Sequence, residues 1–390
     1  MIKIVCHLIL LISICFLVSC NKKKDIDNST NNFNYIEFTL DTSSNEYKNS
    51  NGKSKTEAIK QILDKARFNG TILVAQEGAI LFKGAFGYAN IRQKTKLHEA
   101  SIFQLASVSK QFTAVSILKL KERGLLSYDD KIEKFYPHFP YKNITIRMLL
   151  SHRSGLSEYM WFCDHITDRR TPLTNQGLID LMCVKRPGIN FNPNRRHDYS
   201  NTGYAILAAI VEKLSKKTFK NFVESEIFKP LGMTNSFVFT YDEINKRKDI
   251  VTGHLSNGFP SGYDYQDGIV GDKGVFSCIE DLYKWDQGLY SGKIVKLSTL
   301  EDAYTPANTE FKGKRNYGFG WRTHILDDDS KVVFHAGLWH GFSPYFARRL
   351  CDKATIIVLS NRRGWDASIV GKIYKVLDNN QSCDLEVDVE

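Results

Sequence analysis

Apolar positions along this chain change their period twice. From Thr56 onward, Ala58, Ile59, Ile62, Leu63 and Ala66 follow a helical repeat, and the runs Thr71–Gln76 and Ile80–Ala89 then read as two strands joined at Glu77-Gly78. The middle returns to helical spacing at Ser107–Arg123 (closed by Gly124), Ile146–His152, Gly177–Val184, Tyr204–Leu214, Phe219–Phe228 and Ile279–Leu289. Ile206, Ile210 and Leu214 share one helix face, which is core spacing. Strand-like runs resume at Tyr317–His324, Lys331–Ala336, Ser343–Arg349 and Ala354–Leu359, and a helix at Ala367–Leu377 closes the pattern. This order predicts an α+β fold. One antiparallel sheet is assembled from both ends of the chain and flanked by helices, and the helical middle forms a second lobe.

The N-terminal segment does not belong to that pattern. Lys3 precedes a mostly apolar run, Ile4–Val18, that is short for a membrane span and ends in Leu17-Val18-Ser19-Cys20. This resembles a bacterial lipobox. Residues 1–19 then read as a lipoprotein signal peptide and Cys20 as the lipid-bearing residue; an uncleaved anchor helix is the alternative. Either reading places the protein outside the cytoplasm, tethered to a membrane in the bacterial cell envelope, facing the periplasm or the cell surface. Residues 20–54, rich in Asn, Ser, Lys and Asp, read as a flexible tether, 55–380 as the folded domain and 381–390 as a tail.

Composition narrows the function classes. With 42% hydrophobic and 25% charged residues, the 390-residue chain is globular in character, which rules out disorder as its overall description. The net charge of +10 is scattered apart from Lys22–Lys24, which would lie against lipid headgroups. No basic block is interleaved with aromatics, so a nucleic-acid partner is not expected. Cys163, Cys183, Cys278, Cys351 and Cys383 contain no Cys-x-x-Cys pair, which argues against a metal and leaves one disulfide of undetermined partners open.

The chemistry concentrates at Ser107-Val-Ser-Lys110. Ser-x-x-Lys at a helix start places both side chains on one face, one turn apart, with the hydroxyl near the positive end of the helix. The Ser107 N–H can enter an oxyanion hole, and Lys110 can serve as base if its surroundings lower its proton affinity. The spacing alone is unspecific, since Ser50-Asn-Gly-Lys53 shares it, and Ser107 could equally be a helix cap with Lys110 at the surface. Tyr199-Ser-Asn201 lies in a short polar loop before a buried helix. Tyr199 can pass a proton to or from Lys110, and Asn201 can bond the lysine or a substrate amide. Tyr47, Tyr88 and Tyr141 also have Asn two residues later, so a structural tyrosine is the plain alternative. His335-Ala-Gly337-Leu338 ends a strand where glycine permits close approach of a substrate backbone. Leu338 offers a second oxyanion N–H, and His335 either contacts substrate, tunes the lysine–tyrosine pair or is simply packed.

Together these segments resemble the serine β-lactamase and D-alanyl-D-alanine carboxypeptidase superfamily, in its class C β-lactamase-like branch. Leu149-Leu-Ser-His-Arg-Ser-Gly-Leu156, Gly271-Asp-Lys-Gly-Val-Phe-Ser-Cys-Ile-Glu-Asp-Leu282 and Tyr317-Gly-Phe-Gly-Trp321 extend the likeness, in the expected order, over residues 56–378. The resemblance implies a β-lactamase/transpeptidase-like fold with Ser107 as nucleophile and Lys110 and Tyr199 as the proton-transfer pair. The N–H groups of Ser107 and Leu338 become the oxyanion donors, Asn201, His335 and Gly337 contact substrate, and no cofactor or metal is involved.

One departure matters. The third motif reads His-Ala-Gly where β-lactamases usually carry Lys-Thr-Gly or Lys-Ser-Gly, and Lys-x-Gly occurs nowhere in the chain. A mostly neutral histidine is a poor partner for a substrate carboxylate. The expected activity is therefore hydrolysis of D-amino-acid peptides or small esters and amides through a Ser107 acyl-enzyme, with slow or absent turnover of β-lactams. A carboxylesterase of the same fold is one alternative. A catalytically silent envelope lipoprotein that binds peptidoglycan or a protein partner is the other. No Gly-x-Ser-x-Gly elbow is present to support an α/β-hydrolase.

Overall fold

Seven strands carry the fold. The computed structural model describes residues 55–165, 169–308, 310, 314–326 and 329–378; the leader, Cys20, the tether and the 381–390 tail lie outside the described residues. Strands β1 (Gly70–Gln76) and β2 (Ala79–Phe86) come from the N-terminal part. Strands β3 (Arg315–Tyr317), β4 (Arg322–Ile325), β5 (Lys331–Ala336), β6 (Ser343–Arg349) and β7 (Ala354–Ser360) come from the C-terminal part. They form one sheet in the order β2-β1-β7-β6-β5-β4-β3, every pair antiparallel. The two chain ends meet at β1 and β7, with Ile72 opposite Val358. Glu77 and Gly78 both have positive φ (53° and 79°), the two-residue geometry that matches strand twist in a hairpin.

Both sheet faces are covered, which explains the uninterrupted apolar runs of β1 and β7. Ile72, Val74, Ile356 and Val358 point into one core, and Leu73, Ala75, Ile357 and Leu359 into the other. The first core is closed by helices α1 (Lys55–Lys65) and α7 (Ser368–Leu377) through Ile59, Ile62, Ile369 and Ile373. The second is the larger and holds the helical lobe, which includes α2 (Lys110–Glu122), α3 (Ile146–Leu150), α4 (Asn175–Lys185), α5 (Asn201–Ser215) and α6 (Ile279–Tyr290). Helix α2 is buried on nearly every side, as befits the central helix of a lobe. Arg348 on β6 reaches across to α6, its Nε 2.6 Å from Asp286 Oδ1, with both side chains buried. No helix among the described residues is long and apolar enough to cross a membrane.

The structure departs from the sequence reading in several places. The single strand expected over Tyr317–His324 is two, β3 and β4, because Gly318-Phe-Gly320 turns back against the helical lobe. A Cβ on Gly318 would lie 2.0 Å from Ala303 O, and one on Gly320 would lie 2.8 Å from Lys110 O. The Phe219 helix is α-helical only to Val223 and continues as a π turn over Glu224–Phe228. The small sheet of Phe103–Gln104, Val275–Ser277 and Phe237–Val238 was not anticipated, nor were helices Tyr241–Lys246 and Leu297–Tyr304. Cys163, Cys183, Cys278 and Cys351 are free thiols, so the open disulfide is not found among the described residues.

Candidate active site

The residues singled out in three distant segments converge where α2, α5 and the end of β5 meet. Ser107 lies in a 3₁₀ turn, Ala106–Ser109, rather than in the α-helix itself, which begins at Lys110. Ala106 adopts φ 43°, a left-handed conformation that costs a residue with a side chain on the order of 1–3 kcal/mol and that the buried surroundings enforce. This kink opens the chain directly before the candidate nucleophile.

Lys110 is fully buried and donates to three oxygens: Ser107 Oγ at 3.2 Å, Asn201 Oδ1 at 2.7 Å and Asp272 O at 2.9 Å. The last two are acceptors only. A neutral amine has two hydrogens, so once both are given to Asn201 and Asp272 its lone pair faces Ser107 Oγ. That is the geometry of a base. Asn201 is thus committed to the lysine, and its N–H and Nδ2 both donate to Glu158 Oε2, at 2.9 and 3.3 Å. Burial pushes the Glu158 carboxyl up to about 7; Asp272 adds to the rise, while the Asn201 N–H and the Lys110 charge oppose it.

Tyr199 joins the group by its ring. The Lys110 ammonium sits 4.8 Å from the ring centroid, but the phenol hydroxyl donates to neither Ser107 nor Lys110. The loop that carries Tyr199 is held by His152, whose Nδ1 accepts from Ser200 N–H at 3.0 Å and whose ring lies 4.3 Å from that of Tyr199. Burial, with the nearby His197, Lys110, His335 and Arg322, drives His152 well below its ordinary range, so it is neutral and free to accept. The Ser200 hydroxyl caps α5 through Gly203 N–H. The Leu149–Leu156 motif therefore supports the tyrosine loop.

His335 follows Val333 on the sheet face that looks toward the helical lobe. It is buried, and its Nδ1 donates to Ala336 O at 2.6 Å while Nε2 accepts from the Tyr317 hydroxyl at 3.0 Å. Burial, Arg322 and Lys110 hold it well below the usual histidine range, hence neutral. With both ring nitrogens engaged, it braces the strand end instead of offering a charge to substrate. A further positive charge is Arg322 on β4, its guanidinium 5.8 Å from the Tyr199 ring and felt by His335, His152 and His197. No motif spacing pointed to Arg322 or Glu158, and Asp272, inside the Gly271–Leu282 segment, was given no role there.

Beyond His335 the strand end presses on the serine turn. A Cβ on Gly337 would lie 2.9 Å from Ser107 N, Ala106 Cβ and Leu105 O, so only glycine fits. Backbone pairing skips one residue here: Gly337 N–H donates to Pro344 O at 2.9 Å and Trp339 N–H to Phe342 O at 3.1 Å. Leu338 N–H follows directly after Gly337, the residue packed on the Ser107 turn, and the Ser107 N–H lies at the start of that turn, where helical amides lack an internal acceptor. Two amides aimed at one point suit a developing oxyanion. Cys20 lies outside the described residues.

A β-lactamase family model matches residues 56–380. The chain belongs to the β-lactamase family. It is 37% identical over 319 residues to penicillin-binding protein 4* of Bacillus subtilis, covering 77% of this chain and 69% of that protein. A penicillin-binding protein from Bacillus halodurans has the same fold, with a TM-score of 0.72 at 24% identity over 82% of this chain and 98% of that one. The octameric penicillin-binding protein homologue from Pyrococcus abyssi gives 0.71 at 27% identity, covering 84% and 77%. The chain is accordingly a serine hydrolase of the β-lactamase fold.

Proposed function

We propose that this serine hydrolase cleaves D-amino-acid peptides that end in a free carboxylate, through an acyl-enzyme on Ser107. The observation that carries the reading is the Lys110 amine, which is bonded to two neutral acceptors and has its third direction on Ser107 Oγ. In the reaction, Ser107 Oγ attacks the scissile carbonyl and gives its proton to the Lys110 amine, and the tetrahedral oxyanion rests between the N–H groups of Ser107 and Leu338. The C–N bond breaks as the leaving amine takes up that proton, relayed by the Tyr199 hydroxyl. Water then attacks the ester, returns a proton to Ser107 and releases the acid.

Arg322 favours the carboxylate-terminated substrate. The His-Ala-Gly motif lacks the usual lysine, and the neutral His335 does not replace its charge, whereas Arg322 places a permanent cation beside Tyr199. The 37% likeness to penicillin-binding protein 4* supports acylation by penicillin as well, with slow or absent turnover of the adduct. A carboxylesterase built on the same site would need no such cation. The test is Arg322→Gln on paired substrates, a D-Ala-D-Ala peptide and its C-terminal methyl ester. We expect KM for the free acid to rise roughly tenfold or more while the methyl ester changes little. Equal effects on both would favour the esterase reading. We further propose that the domain is tethered in the cell envelope by lipid on Cys20, which supports a substrate drawn from the cell wall; labelled fatty acid absent from the protein but unaffected in other lipoproteins would contradict this.

A further inference from the structure

The hairpin that carries the oxyanion amide is fastened to the helical lobe by one carboxylate. Asp267 lies in the 3₁₀ turn Tyr265–Gly268 and is buried. Trp339 Nε1 donates to its Oδ1 at 2.8 Å, His340 Nε2 lies 3.1 Å from Oδ1 and 2.9 Å from Oδ2, and Asp264 N–H donates to Oδ2 at 2.6 Å. Both oxygens are thus taken by N–H donors and are not presented to a cation. Burial would raise this carboxyl, but His340, Lys273 and Trp339 together hold it below the usual carboxylate range.

The two donors are the residues directly after Leu338. Trp339 and Phe342 pair across a turn in which His340 and Gly341 both have positive φ, 46° and 83°. For histidine this conformation is uncommon, and its ring is held on the far side too, with Nδ1 3.3 Å from Ser261 Oγ. The tip also seats against backbone: a Cβ on Gly341 would lie 2.4 Å from His254 N, and one on Gly253 would lie 2.0 Å from His340 O. Those contacts fix how deep the hairpin sits. Asp267 adds a polar anchor on the two residues that follow Leu338 directly.

We infer that Asp267 is a positioning residue for the oxyanion hole: by gripping Trp339 and His340 it aims the Leu338 N–H at the carbonyl oxygen of a substrate on Ser107. The inference rests on the serine-hydrolase site proposed above. Its signature is a loss confined to the tetrahedral state, because ground-state binding does not use the hole fully.

The experiment measures Ser107 acylation by p-nitrophenyl acetate and binding of phenylboronic acid, whose adduct with the serine is tetrahedral, alongside thermal melting. Asp267→Asn should slow acylation and weaken boronate binding by roughly tenfold or more with KM nearly unchanged. Trp339→Phe, which keeps the ring and loses the N–H, should give a smaller loss of the same kind. If Asp267→Asn does not fold, Trp339→Phe decides. Unchanged acylation and boronate affinity in folded variants would overturn the inference alone. A wild-type protein that neither acylates nor binds boronate would overturn the active-site reading with it.

Discussion

Two buried cations in this molecule are solved in opposite ways. Arg348 faces a carboxylate, Asp286, at 2.6 Å, and its guanidinium lies 4.0 Å from the Tyr290 ring centroid. Lys110, equally buried, meets no carboxylate within ion-pair distance among the described residues; its partners are an amide oxygen, a peptide carbonyl and a hydroxyl. The first arrangement cancels charge and ties a strand to a helix. The second satisfies hydrogen-bonding capacity without fixing a charge state, so the amine can switch between giving a hydrogen to Ser107 and receiving one without breaking an ion pair. A buried cation with a counter-ion holds a fold together, and one surrounded by neutral acceptors is available for chemistry.

The sharpest way to break the comparison is Lys110→Met. It should lower the acylation rate of Ser107 by roughly a thousandfold or more, as expected of a proton-transfer group, while changing thermal stability little, since the buried amine has no ion-pair partner among the described residues to be stranded. A large loss of stability instead would mean that Lys110 is structural like Arg348. Asp286→Ala is the converse. It strands Arg348 without its partner and should destabilise the fold by about 3–5 kcal/mol in denaturant titration, while the folded fraction still acylates normally.

A smaller effect comes from pH. His152 and His335 are held well below the ordinary histidine range and His197 at about 4, so as pH falls below about 6.5 the unfolded chain binds protons that the folded one refuses. Stability should therefore decline from about pH 6.5 downward. Glu158, raised to about 7, acts in the opposite sense, since its folded form keeps a proton that the unfolded chain has lost above about 4.5. His254, also lowered, adds to the histidines, and Glu212 and Asp378, raised by burial, side with Glu158; the carboxyls of Asp267 and Asp352, held low by their partners, tip the sum toward loss of stability in acid. Melting temperature should fall between pH 6.5 and 4, and Glu158→Gln should steepen that fall; a flat profile would contradict the neutral-histidine account.

The sheet and most helices were legible because strands buried on both faces and amphipathic helices leave their period in the chain. Motif order was legible too, and it brought Ser107, Lys110, Asn201, His335 and Gly337 to one place. What escaped was set by single close approaches. Gly318 and Gly320 split an apparently continuous strand because backbone passes within a Cβ's reach, and Ala106 turns left-handed only under its buried neighbours. Glu158, Asp267 and Arg322 escaped because a charged side chain carries no periodic signal, and its meaning depends on what the fold sets opposite it.

Ser107 is the proposed site of acylation. Intact-protein mass measurement followed by peptide mapping, after exposure to a fluorophosphonate or to penicillin, tests it most directly. One adduct should appear on the peptide containing Ser107 and vanish in Ser107→Ala with melting temperature preserved. An adduct on another residue, or one that survives Ser107→Ala, would contradict the account.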